Sequence, residues 1–109
     1  MLLQQRRINA HGFRFSLTEK GKEVARGFLY ILQNDLHKEP FGFLEDVYVR
    51  EEYRGKGNGE KIVRAAIREA KRQGCYKLVG NSRNSREQTH MFYKKMGFQD
   101  YGKEFRMEF

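Results

Sequence analysis

The sequence predicts a mixed α/β chain forming one domain over residues 1–109, with helices packed on a mixed sheet in the order β-β-β-α-β-α-β-β. Three observations carry this reading. Strand-like runs at 13–18, 24–32 and 41–49 come before any helical pattern. A glycine-rich turn at 53–60 then opens an amphipathic helix, and beyond it a strand, a second helix and two further strands follow in turn.

Taken in order, residues 1–11 offer only Leu2, Leu3 and Ile8, compatible with a short edge strand or with a frayed end. Phe13-Arg14-Phe15-Ser16-Leu17-Thr18 alternates apolar and polar residues, the period of a half-buried strand. Glu19-Lys20-Gly21-Lys22 reads as a turn into a second strand, Val24 to Leu32, which makes a hairpin. Phe41 to Val49 is the most apolar strand before the glycine turn. Its carboxylates Glu45 and Asp46 are neighbours, so a regular strand would place them on opposite faces unless a bulge re-aims the chain.

Past the turn, Ile62, Val63, Ala66, Ile67 and Ala70 recur at helical spacing, and Gly74 suits the helix end. The intervening Lys61, Arg64, Arg68, Lys71 and Arg72 read as solvated surface. Residues 75–80 form the next strand. Ser85 with Gln88 has the form of a capping box for a helix ending at Gly97. Residues 98–101 and 105–109, on either side of Gly102-Lys103, complete the order as two strands.

Composition narrows the function classes. A content of 39% hydrophobic and 14% aromatic residues is that of a globular chain. No apolar run is long enough to span a membrane, and the first residues are too polar for a secretory signal, so a cytoplasmic protein is expected. A lone cysteine, Cys75, excludes an internal disulfide and reads as packed rather than nucleophilic. His11, His37 and His90 are scattered, so no metal site is expected. The net charge of +8 favours anionic partners, whether nucleic acid, a membrane surface or a phosphorylated small molecule.

The stretch Tyr53-Arg54-Gly55-Lys56-Gly57-Asn58-Gly59-Glu60 is where that charge acquires a site. Glycines at every second position let main-chain N–H groups approach a ligand, and the following helix adds its unpaired N–H groups and the positive end of its dipole. One helix end holds an anion by only about 0.3–1 kcal/mol, so several N–H groups must converge. The spacing departs from a dinucleotide fingerprint, which would need glycine at Glu60, and from a P-loop, which would need Ser or Thr at Gly57. We read it as a pyrophosphate cradle.

Three stretches stand in one order: Glu45-Asp46-Val47-Tyr48-Val49, Arg54-Gly55-Lys56-Gly57-Asn58-Gly59, and Phe92-Tyr93-Lys94-Lys95-Met96-Gly97-Phe98. Together they resemble the GNAT superfamily of acetyl-CoA-dependent N-acetyltransferases over about residues 13–109, with local similarity to its glucosamine-6-phosphate N-acetyltransferase branch. The resemblance implies a mostly antiparallel GNAT-like sheet, here without the usual first two helices that wall the acceptor site. It also implies acetyl-CoA as co-substrate, without metal, and an amine acceptor. Val47, Tyr48 and Val49 would line the pantetheine arm, and Arg54, Gly55, Lys56, Gly57, Asn58, Gly59 and Glu60 would hold the pyrophosphate. Asn58 stands where the family has an apolar residue. Tyr93 would protonate the departing thiolate, and Glu45 or Asp46, directly or through water, would take the proton of the amine. The uncovered sheet suggests a homodimer. Competing readings are a non-catalytic CoA-binding module, consistent with the missing acceptor wall, and a small basic nucleic-acid-binding protein, for which no recognition motif is present.

Overall fold

The computed structural model describes residues 1–109. Four strands form one sheet in the order β1-β2-β3-β4: β1 (His11–Glu19), β2 (Lys22–Leu32), β3 (Phe41–Val49) and β4 (Leu78–Gly80). The first three are antiparallel, whereas β4 runs parallel to β3 after the crossover through helix α1 (Asn58–Arg72). A 3-10 turn at Glu51–Tyr53 joins β3 to the glycine segment, and helix α2 (Glu87–Lys95) follows β4.

The hairpin between β1 and β2 closes through Lys20 and Gly21 at φ 52° and 76°, flanked by the pair Glu19↔Lys22. Two central residues at positive φ match the right-handed twist of the strands they join. Both helices end in the same way. Gly74 and Gly97 sit at φ 80° and 104°, and the next residue's N–H reaches back to Ala70 O and Tyr93 O, each at 3.0 Å. That is a Schellman closure, and at α2 its usual apolar contact is made by the Tyr93 and Phe98 rings, 5.2 Å apart.

The core lies between one face of the sheet and α1, where Leu29, Ile31 and Leu44 meet Val63, Ala66 and Ala70. Helix and sheet approach closely because β2 carries glycine beneath α1. A methyl group at Gly27 would stand 2.6 Å from Ile62 Cγ2. Phe92 and Tyr93 of α2 and Met96 at its end pack half-buried against the same core.

The structure differs from expectation in three places. The fourth strand is only Leu78–Gly80, because residues 75–77 are taken up in leaving the helix: Cys75 N–H bonds Ala70 O and Tyr76 N–H bonds Pro40 O. Ser85 does not cap α2; Arg86 occupies that position with no side-chain bond to the first turn, and His90 Nε2 lies 2.8 Å from Arg83 O. Residues 98–109 form no strand, although the mixed-sheet class holds through α2. Beyond Phe98 the tail touches no strand edge, and a period-two pattern without a ladder partner satisfies none of its backbone groups.

Candidate active site

The site begins at an irregularity in β3. Between the pairs Arg26↔Tyr48 and Phe28↔Glu45, β2 advances two residues and β3 three, so β3 carries a bulge there. Asp46 adopts φ 50°, a left-handed conformation that Asp tolerates better than most residues. The bulge resolves the Glu45/Asp46 alternation left open by the sequence. Glu45 and Tyr48 both end on the sheet face away from α1, beside Phe28 and Arg26, while Val47 packs against the core. Glu45 and Asp46 are both exposed.

Beyond the bulge, β3 loses its parallel neighbour, since β4 pairs only with residues 42–44. Arg50 N–H bonds Val24 O, so the alternation of antiparallel bonding turns the Val49 main chain away from β2. Val49 O confirms this by accepting Arg54 Nε at 2.8 Å. An open strand edge therefore leads straight towards the glycine segment.

That segment is built to leave its amides free. Gly55 and Gly57 sit at φ 73° and 83°, with nothing within 4 Å of where a Cβ would stand. Asn58 Nδ2 donates to Tyr53 O at 2.9 Å and ties the turn together, which is the physical use of this polar residue at the head of the helix. From Gly55 to Glu60, no main-chain N–H finds an acceptor within the chain; the first to do so is Lys61, bonding Gly57 O at 3.1 Å. Six consecutive unpartnered donors stand at the positive end of a fifteen-residue helix, where N–H groups and the helix dipole favour negative charge. Arg54 is held in place by its bond to Val49 O, with its guanidinium 5.4 Å from the Tyr48 ring centroid, and Lys56 Nζ lies 3.4 Å from Glu52 O.

The three sequence stretches converge at Gly59. A methyl group there would lie 3.6 Å from Val49 Cγ2 and 3.9 Å from the Phe92 ring, so strand, turn and second helix meet at one point. Tyr93 follows Phe92, its ring 5.4 Å away. Burial raises the Tyr93 phenol above its ordinary value, which keeps it protonated at neutral pH and fit to donate. Burial raises the Cys75 thiol as well, which disfavours the thiolate and supports a packing role.

Two features escaped the sequence. Ser82 Oγ, just past β4, is shut from solvent with no partner in the chain; nothing in its neighbours signals this. On the face away from α1, a cleft of about 260 Å³ is lined by Glu23, Val24, Ala25, Arg26, Tyr48 and Arg50. Arg26 stacks over Tyr48 at 4.7 Å, and Glu23 is held by Arg14 at 2.6 Å and Ser16 at 2.5 Å. Only the register puts Arg26 beside Tyr48.

An open strand edge thus runs into a group of unpartnered amides at a helix start, with the half-buried phenol of Tyr93 nearby. Residues 2–98 match the family model described as the acetyltransferase (GNAT) family, and the chain belongs to that family. It is 33% identical over 67 residues to a glucosamine 6-phosphate N-acetyltransferase of Trypanosoma brucei brucei, a match covering 62% of this chain and 44% of that protein. A rice counterpart, glucosamine 6-phosphate N-acetyltransferase 1 of Oryza sativa subsp. japonica, is 44% identical over 57 residues, 52% of this chain and 33% of that one. The matched stretch thus spans less than half the length of these relatives. Among solved structures, glucosamine-6-phosphate N-acetyltransferase from Arabidopsis thaliana superposes with a TM-score of 0.82 at 28% identity, covering 90% of this chain and 67% of the other.

Proposed function

We propose that this chain binds acetyl-CoA and transfers its acetyl group directly to a primary amine. The run of unpartnered N–H groups from Gly55 to Glu60, beside the open edge at Val49, carries the reading. Those amides, with Arg54 and Lys56, would hold the pyrophosphate. The main chain of Val47 and Val49 would pair with the pantetheine amides as a strand would, with Tyr48 alongside. The glycines fit the group: neither Gly55 nor Gly57 carries a side chain into the cradle.

The chemistry asks little more of the residues. An alkyl amine with a pKa near 10.4 is about a thousandth neutral at pH 7, a deficit of roughly 4–5 kcal/mol, and Glu45 or Asp46 would accept its proton directly or through water. Tyr93 would supply a proton to the thiolate. Alignment of the two reactants contributes about 7–11 kcal/mol without any base.

The relatives are named for different amines, so the acceptor is read from this chain's own surface. Arg26 joins none of the chain's ion pairs and lines the cleft, and Glu45 lies diagonally across from it on β3, opposite Phe28. A carboxylate for the amine with a guanidinium for an anion suits a phosphorylated amino sugar. Action in the cytoplasm and as a homodimer belongs to the same proposal. A non-catalytic CoA-binding module is the second reading, favoured by the uncovered sheet face around Tyr30 and Tyr48.

The test combines calorimetry with acetyl-CoA and thiol release in the presence of glucosamine, glucosamine 6-phosphate and a panel of other amines. Binding with turnover supports the transferase. Binding without thiol release on any amine selects the module, and no heat with acetyl-CoA ends both. Tyr93→Phe is expected to lower kcat about 10- to 100-fold while KM for acetyl-CoA stays within about twofold. Unchanged turnover would remove Tyr93 from the mechanism.

A further inference from the structure

The two sides of helix α1 differ sharply. Ile62, Val63, Ala66 and Ala70 are buried against the sheet, and every exposed position from 61 to 72 is basic: Lys61, Arg64, Arg68, Lys71 and Arg72. The half-buried Glu60 and Glu69 pair with Arg64 at 3.4 Å and Arg72 at 2.7 Å. Lys61, Arg68 and Lys71 join no ion pair. A solvent-facing helix side is ordinarily stabilised by opposite charges three or four positions apart. Here Lys61, Arg64, Arg68 and Lys71 follow one another at that spacing, so four like charges share one row about 15 Å long. The repulsion within such a row is relieved by an anionic surface laid along it.

The row starts where the cradle stops. Lys61 is the first residue after the unpartnered N–H groups of Gly55 to Glu60, and Arg54 and Lys56 stand exposed on the turn before it. The inference rests on the reading that β3 holds a pantetheine arm and residues 54–60 its phosphate. Whatever that phosphate is bonded to then lies beyond the turn, where α1 begins. In free coenzyme it is a single nucleoside with one more phosphate, too short to cover the row to Lys71. The same arm is also carried as a phosphodiester on a serine of small acidic proteins, and there a whole negative surface follows the phosphate.

Two other polyanions fit less well. A membrane-surface helix dips an apolar side into the lipid, and the apolar side of α1 is already packed on the sheet. A nucleic acid held beyond its phosphates needs rings on which its bases stack. The exposed Tyr30 and Tyr48 lie on the sheet face away from α1, out of line with the row.

We propose that the basic row of α1 docks an acidic carrier protein whose acetylated phosphopantetheine arm enters the site in place of acetyl-CoA. The arm and its phosphate are held as the coenzyme's are, and Lys61, Arg64, Arg68 and Lys71 meet the carrier's carboxylates. Charge pairs at the rim of such a contact govern the encounter rate and its response to salt. The transfer is otherwise unchanged. The neutral amine nitrogen bonds the acetyl carbonyl carbon as the C–S bond breaks, the nitrogen gives up one proton and the thiolate gains one, and the carrier is left with a free thiol.

The test measures thiol release by the full chain from three donors, each with the same amine panel: an acyl carrier protein loaded with acetyl, acetyl-4'-phosphopantetheine as the same arm without the protein, and acetyl-CoA. The carrier should exceed the free arm in kcat/KM by at least about 10-fold, and that advantage should fall steeply as salt is raised. Arg68→Glu/Lys71→Glu should raise KM for the carrier at least about 10-fold and leave KM for acetyl-CoA within about twofold, which also shows that the variant is folded. Arg68→Gln/Lys71→Gln should fall between the two. A carrier no better than the free arm, or a charge reversal that moves both donors alike, would overturn the docking. So would a row that binds single-stranded RNA while the carrier fails as a donor. Turnover with acetyl-CoA and none with the carrier defeats the docking alone, whereas turnover with no donor defeats the transferase reading with it.

Discussion

Two glycine turns in this chain share a backbone habit and differ in everything else. At Lys20-Gly21 positive φ values reverse the chain between paired strands, and the flanking residues enter a ladder. At Gly55 and Gly57 similar φ values precede a helix, and six successive N–H groups stay without an acceptor. The first turn uses left-handed geometry to complete hydrogen bonding. The second uses it to leave hydrogen bonding open, with its donors unpartnered within the chain. A glycine at positive φ is therefore no guide to function; what its neighbours' amides do is the guide.

Substitution can separate the two turns. Gly57→Val should weaken acetyl-CoA binding by calorimetry at least about 100-fold, because a branched side chain at φ 83° strains the cradle and stands among its donors. Gly21→Val should leave binding within about twofold and instead cost about 1–2 kcal/mol of stability in urea. Equal effects on binding would erase the distinction drawn here.

A smaller effect tests glycine used for close approach. Gly27→Ala, with its new methyl 2.6 Å from Ile62 Cγ2, should destabilise the chain by about 1–3 kcal/mol by displacing α1 from the sheet. Because α1 carries the cradle at its first turn, a modest loss of acetyl-CoA affinity should accompany it. A neutral Gly27→Ala would mean that the helix repacks freely.

The smallest effect concerns acid. Arg14 and then Ser16 hydrogen-bond Glu23 and lower its carboxyl pKa from 4.5 to about 2. A carboxylate whose pKa is depressed by folding adds stability that is whole above the unfolded value and disappears as pH falls towards the folded one. Thermal unfolding should therefore drop between about pH 4.5 and 2, and Glu23→Gln should flatten that part of the profile. An unaltered profile would show that this exposed pair leaves stability untouched, as surface pairs often do.

Much of the candidate site's backbone was legible because its signals are local. Gly74 and Gly97 announced helix ends, and both make the same closure. The end of the Phe92–Phe98 stretch proves to be partly structural, since Gly97 and Phe98 close the helix against Tyr93. Asn58, an oddity in sequence, turns out to brace the turn through Tyr53 O. The Ser85 capping box failed because the chain enters α2 one residue later, at Arg86, with His90 drawn back to Arg83. Local preference there lost to the path of the loop. The last two strands were readable as a pattern and not as a structure, because a strand exists only when another strand accepts it.

Periodicity, punctuation by glycine and the order of three short stretches determined, from sequence alone, the class of fold and the turn whose main-chain donors stay unpartnered. These depend on neighbours a few residues apart. Tertiary structure decided what depends on register: the bulge that brings Glu45 and Tyr48 to one face, the meeting of Val49, Gly59 and Phe92, and the solitary state of the tail. A one-residue shift in strand pairing moves every side chain to the opposite face, and no local pattern records which shift the fold selects.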